Sequence, residues 1–168
     1  MKTWVGRKGG YLPKSIVRIL VVDDFEPWRC LVSSTLAKQP QFEIVCEVSN
    51  GLEAVEKAQQ LRPDLILMDI GLPKLNGIEA TRRILKRAPQ STILFLSENR
   101  SQDIVKEALR TGAGGYVLKS DAGRELLAAM EKVLRGEPFV SASLMDHDSS
   151  EPTNGRYPPS PREGSLRH

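Results

Sequence analysis

One pattern constrains this chain more than any other: short apolar runs alternate with segments whose apolar residues recur at helical spacing. Val17 to Val22 is apolar and β-branched and ends at Asp23-Asp24. Pro27 suits the first turn of a helix, and Trp28, Leu31, Val32, Thr35 and Leu36 follow at helical intervals. Glu43 to Val48 alternates apolar and polar residues, which predicts a strand with Ile44, Cys46 and Val48 on one face. After the Asn50-Gly51 turn, Leu52, Val55, Ala58 and Leu61 mark a second helix, stopped by Pro63. Leu65 to Met68 is wholly apolar and ends at Asp69. Pro73 and Asn76-Gly77 mark a loop before a helix over Ile78 to Arg87. Thr92 to Leu96 ends at Ser97, and Ile104 to Leu109 is a helix closed by Gly112. Tyr116 to Leu118 ends at Lys119, and Arg124 to Leu134 is a last helix before Gly136 and Pro138.

Five such units predict an α/β fold, a doubly wound five-stranded parallel sheet flanked by five helices. The folded unit is expected over residues 16–140. Residues 1–15 form a basic arm, and residues 141–168 hold four Pro and six Ser and are expected to be a disordered tail.

Composition then narrows the function. The 168 residues carry a net charge of +3, which invites a nucleic-acid reading. The excess sits on Lys2, Arg7, Lys8 and Lys14; residues 16–140 hold equal numbers of acids and bases. The folded unit is therefore neutral, and the overall charge argues little for a DNA-binding face. No apolar run reaches the length of a membrane span, and residues 1–15 have no apolar segment of a secretory signal. Cys30 and Cys46 form no CxxC motif and are expected to be reduced and mostly buried thiols in a cytoplasmic protein. The two histidines, His147 and His168, both lie in the polar tail, which leaves no zinc site or histidine-based triad in the folded unit.

In an open parallel sheet, ligands bind beyond the carboxyl ends of the strands. The residues there are Asp23 and Asp24, Asp69, Ser97 and Lys119, with Ser49-Asn50 near an outer edge. Three close carboxylates repel one another and call for a cation. All-oxygen ligands with room for water suit Mg²⁺. A carboxylate beside such an ion can attack phosphorus and form an aspartyl phosphate, whose oxygens an ammonium and a hydroxyl can hold.

At these residues the chain resembles the receiver domain of a two-component response regulator. The resemblance rests on residues 19–24 (Ile-Leu-Val-Val-Asp-Asp), residues 67–77 (Leu-Met-Asp-Ile-Gly-Leu-Pro-Lys-Leu-Asn-Gly), residues 94–97 (Leu-Phe-Leu-Ser) and residues 112–120 (Gly-Ala-Gly-Gly-Tyr-Val-Leu-Lys-Ser). It covers about residues 16–140 and is greatest to the subfamily usually fused to a helix-turn-helix. The resemblance implies a flavodoxin-like sheet with strand order 2-1-3-4-5. It implies Asp69 as phosphoacceptor from a sensor histidine kinase or phosphotransfer protein. Mg²⁺ would be held by Asp24, Asp69 and the backbone carbonyl of Gly71, with Asp23 assisting. Lys119 would pair with the phosphoryl group, Ser97 would bond one of its oxygens, and Tyr116 would turn inward after Ser97. The implied switch surface, residues 101–134, would take a downstream protein or form a dimer. The domain would be a signalling unit and no turnover enzyme.

Two residue-level features depart from that family pattern. Glu98 follows Ser97, where the family usually carries a small residue. The 28 residues after Val140 show no second apolar periodic region, so a stand-alone regulator is expected, with no direct nucleic-acid binding and no membrane contact. A receiver-like scaffold independent of phosphate is the alternative reading. A haloacid-dehalogenase-type phosphatase fits poorly, because Gly71 stands where its second Asp would be. Residues 112–115 precede a strand and so do not form a dinucleotide-binding loop.

Overall fold

A computed structural model describes residues 15–145. The expected basic arm, apart from Ser15, and the tail beyond Met145 lie outside the described residues. The order is β1 (Val17–Val22), α1 (Glu26–Ala37), β2 (Phe42–Val48), α2 (Gly51–Leu61), β3 (Leu65–Met68), α3 (Gly77–Arg87), β4 (Thr92–Ser97), α4 (Gln102–Arg110), β5 (Gly115–Leu118), a 3-10 turn (Lys119–Asp121), α5 (Ala122–Leu134), β6 (Phe139–Val140) and α6 (Ala142–Met145). The strands pair in parallel in the order β2-β1-β3-β4-β5-β6. This is the expected doubly wound sheet, extended by one short strand and one short helix.

The sheet is apolar on both faces because helices cover both. Val32 and Leu36 of α1, with Leu126, Ala129, Met130 and Val133 of α5, bury against Ile19, Val21, Leu65, Leu67, Leu94 and Val117. On the opposite face Ala54, Val55 and Ala58 of α2, Ile78 and Ile84 of α3, and Val105 and Ala108 of α4 pack on Leu20, Val22, Ile66, Met68 and Phe95. The helix caps follow the sequence chemistry. Asn50 accepts from the Glu53 N–H and Asn76 from the Glu79 N–H, each at 3.0 Å. Gly112 ends α4 at φ +97°, a conformation that favours glycine.

Three expectations change. Ile44, Cys46 and Val48 do not share a face. The β1–β2 register jumps from Ile19↔Ile44 to Leu20↔Cys46, so Val45 is an extra residue in β2. Ile44 consequently packs with α1 and α5, while Cys46 and Val48 pack on the other side. Leu31 and Leu52, placed on apolar helix stripes, are instead 55% and 47% exposed, and Cys30, expected to be mostly buried, is exposed as well. The expected boundary after Val140 cuts through folded chain. Ser141 is fully buried; its N–H donates to the Tyr116 carbonyl, and its Oγ accepts from the Leu118 N–H at 2.9 Å and donates to Glu125 at 2.6 Å. Leu144 enters the core beside α4, and its carbonyl accepts from Gln102 Nε2 at 2.9 Å. Residues 139–145 thus lie along β5 and touch α4 and α5, the two helices of the 101–134 span expected as a switch face.

Candidate functional site

Parallel register brings the strand ends together. Val22 lies opposite Met68, so the residues that follow, Asp23 and Asp69, emerge side by side. The Asp69 N–H donates to the Val22 carbonyl and the Asp23 N–H to that of Val48. Ser97 lies opposite Leu118, which delivers Lys119 to the same edge. A carboxylate oxygen from each of Asp23, Asp24 and Asp69 lies within 4.8 Å of the others. Asp23 is buried, Asp24 is exposed, and Asp69 is 9% exposed at the mouth.

Lys119 bridges two of these acids. Its Nζ stands 2.6 Å from Asp23 Oδ2 and 3.5 Å from Asp69 Oδ2. Asp69 Oδ1 accepts from the Ile70 N–H at 2.8 Å. Burial pushes the Asp69 carboxyl above its ordinary range and the Asp23 charge adds to this, while the Lys119 ammonium and the Ile70 N–H oppose it. The pocket thus holds more negative charge than one ammonium offsets. Its donors are hard oxygens and one acid is open to solvent, which fits an octahedral cation that keeps several waters.

Asp23 has a structural task as well: its Oδ1 accepts from the Phe25 N–H at 2.9 Å as the chain enters α1. Asp24 is not the N-cap of that helix; Phe25 occupies the position. The loop after Asp69 folds back tightly, with the Leu72 and Gly77 N–H groups both donating to the Ile70 carbonyl. A Cβ on Gly77 would lie 1.9 Å from the Asp69 carbonyl oxygen, so only glycine permits this approach. Gly71 sits in the same loop, and a side chain there would meet nothing within 4 Å.

Ser97 is buried, and its Oγ accepts from the Asn99 N–H at 3.1 Å. Tyr116 is fully buried, tilted against Phe95, with its hydroxyl donating to the Asn99 carbonyl at 2.7 Å. Both therefore converge on one peptide segment beside the acids. Glu98 is exposed on that segment.

Two contributors lie outside the sequence-predicted set. Arg29 Nη1 donates to the Asp23 carbonyl at 2.6 Å, and its Nε stands 3.7 Å from Glu47. Trp28 presents its ring 5.1 Å from Lys119 Nζ. Helical spacing marks Trp28 as apolar packing and carries no signal that its face looks onto a cation.

Comparison with known proteins gives the family and the fold. The family model described as the response regulator receiver domain matches residues 19–131. The chain is 39% identical over 124 residues to the transcriptional regulatory protein DegU of Brevibacillus brevis, covering 74% of this chain and 52% of that protein. It thus spans about half the length of that relative. A crystal structure of a LuxR-family two-component response regulator from Aurantimonas sp. SI85-9A1 matches with TM-score 0.75 and 32% identity, over 79% of this chain and 94% of that one. RcsB of Salmonella typhimurium, 20% identical with TM-score 0.73, shares the fold over 79% of this chain and 66% of its own, and is described in terms of DNA interaction. These findings overturn the expectation of no nucleic-acid partner, since a relative of this chain is a transcriptional regulatory protein. That expectation rests on the neutral folded unit and on the sequence after Val140. Both describe only the part of such a protein that this chain spans.

Proposed function

The chain belongs to the response regulator receiver domain family, a class of signalling domains, and from that premise we propose that it accepts a phosphoryl group on Asp69 and thereby switches a protein-binding surface. The observation that carries this reading is the placement of Asp69 at the sheet edge, with two further carboxylates and the Lys119 ammonium around it. Asp23, Asp24, Asp69 and the Gly71 carbonyl would hold Mg²⁺. When bound, the ion supplies positive charge that offsets the carboxylates and the phosphoryl oxygens.

An oxygen of Asp69 attacks the phosphorus of a phosphohistidine on a sensor kinase. The P–O bond forms as the P–N bond breaks, and the imidazole leaves. Lys119 moves its pairing from the carboxylates toward the new phosphoryl group. Ser97 has a hydroxyl proton to donate to a phosphoryl oxygen. Doing so pulls on the bond from Asn99, and the Asn99 carbonyl is what anchors Tyr116. The event at Asp69 thus reaches β5 and the segment over 139–145 through one residue, Asn99. Phosphohistidine donors of this kind are made with ATP, which supports a cytoplasmic location for the protein.

Incubation with acetyl phosphate and Mg²⁺ tests the reading by intact mass. One phosphoryl group should add, and a chelator should abolish the gain. No gain under any phosphodonor would favour a phosphate-independent scaffold instead.

A further inference from the structure

Asp23, Asp69 and Trp28 stand around the Lys119 ammonium, and one of them is not a carboxylate. Its Nζ is 2.6 Å from Asp23 Oδ2, 3.5 Å from Asp69 Oδ2 and 5.1 Å from the centre of the Trp28 ring. The Lys119 side chain is only 10% exposed, so the indole replaces solvent over the cation. Trp28 is in turn fixed from behind, because it packs against the apolar cluster beneath α1 and α5. Pro27 and the Arg29 contact to the Asp23 carbonyl fix the same turn of α1. A tryptophan face is the strongest aromatic partner for a cation, and the attraction grows when water is excluded.

We propose that Trp28 is a positioning residue, whose ring face holds the Lys119 ammonium inside the acidic pocket and within reach of Asp69. Without that face, only Asp23 and Asp69 among the described residues keep the lysine from swinging to solvent. This rests on the reading of Asp69 as phosphoacceptor, but the contact itself can be tested without it.

The kinetic test compares wild type, Trp28→Phe and Trp28→Leu for phosphorylation by acetyl phosphate with Mg²⁺, each also in a Lys119→Met background. Trp28→Leu should slow phosphorylation ~5-fold, and Trp28→Phe should recover most of the loss. In the Lys119→Met background, Trp28→Leu should have almost no further effect, because the cation it serves is gone. An equal slowing in both backgrounds would mean that Trp28 acts through packing alone and would overturn the proposal. So would a Trp28→Leu rate equal to wild type.

The spectroscopic test uses Trp4→Phe, which leaves Trp28 as the single tryptophan. Lys119→Met in that protein should change the indole emission, and unchanged emission would contradict the contact. If wild type gains no phosphoryl group, the phosphoacceptor reading fails and the emission result still decides whether the ring holds the cation.

Discussion

Tyr116 shows how much can depend on one hydroxyl. Burial, with a smaller contribution from the Asp69 charge, pushes its phenol above the ordinary value of 10.0. The folded protein therefore holds this proton to a higher pH than the unfolded chain does. The associated stability is fully present below about pH 10 and is lost as the pH rises further. Tyr116→Phe should cost about 1 kcal/mol at neutral pH through the bond to the Asn99 carbonyl. The same variant should lose less stability than wild type above pH 10, a difference that urea unfolding at the two pH values would show. The acids, Ser97 and Lys119 could be read from sequence because polar residues that end wholly apolar strands must surface at one sheet edge. Trp28 and Arg29 could not, because helical spacing reports which side of a helix is apolar and is silent on what the first turn faces. The rotamer of Tyr116 was equally hidden, since a strand residue's direction says nothing about which carbonyl its hydroxyl meets.

At the scale of elements, two short pieces of chain set the site's precision. The loop between Asp69 and α3 closes on Gly77, where an added Cβ would strike the Asp69 carbonyl. Gly77→Ala should destabilise the protein by about 3 kcal/mol, since the clash is with backbone and cannot relax by a rotamer change. Chemical denaturation measures this, and a loss under 0.5 kcal/mol would show that the loop is looser than the geometry implies. The second piece is residues 139–145. Ser141 Oγ satisfies the Leu118 N–H, one residue before Lys119. Ser141→Ala leaves that buried donor without a partner and should cost about 2 kcal/mol. Faster amide exchange at Leu118 and Leu144 than at Leu67 would locate the loosening. Strands and helices were legible from their periodicity, but β6 has two residues and α6 has four, too few for a period to register. The bulge at Val45 was hidden for a related reason: alternation in the sequence stays regular while the face it points to changes.

At the scale of the whole molecule, the balance of charge and the topology point the same way. A folded unit with no net charge confines three carboxylates to one edge of its sheet, two from the loop after β1 and one from the loop after β3. Strand order puts β1 and β3 side by side in the middle, so the acids meet at the crevice that doubly wound sheets use for ligands. That much follows from apolar runs and crossover handedness. The partner class does not, because it depends on parts of related proteins that this chain does not span. The central claim is that Asp69 itself forms the acyl phosphate. Borohydride reduction of the phosphorylated protein followed by peptide mass mapping tests it most directly, because hydride converts an aspartyl phosphate to homoserine. Homoserine is expected at position 69 and absent from Asp69→Asn. Homoserine at position 23 or 24, or a phosphoryl group retained by Asp69→Asn, would contradict the claim.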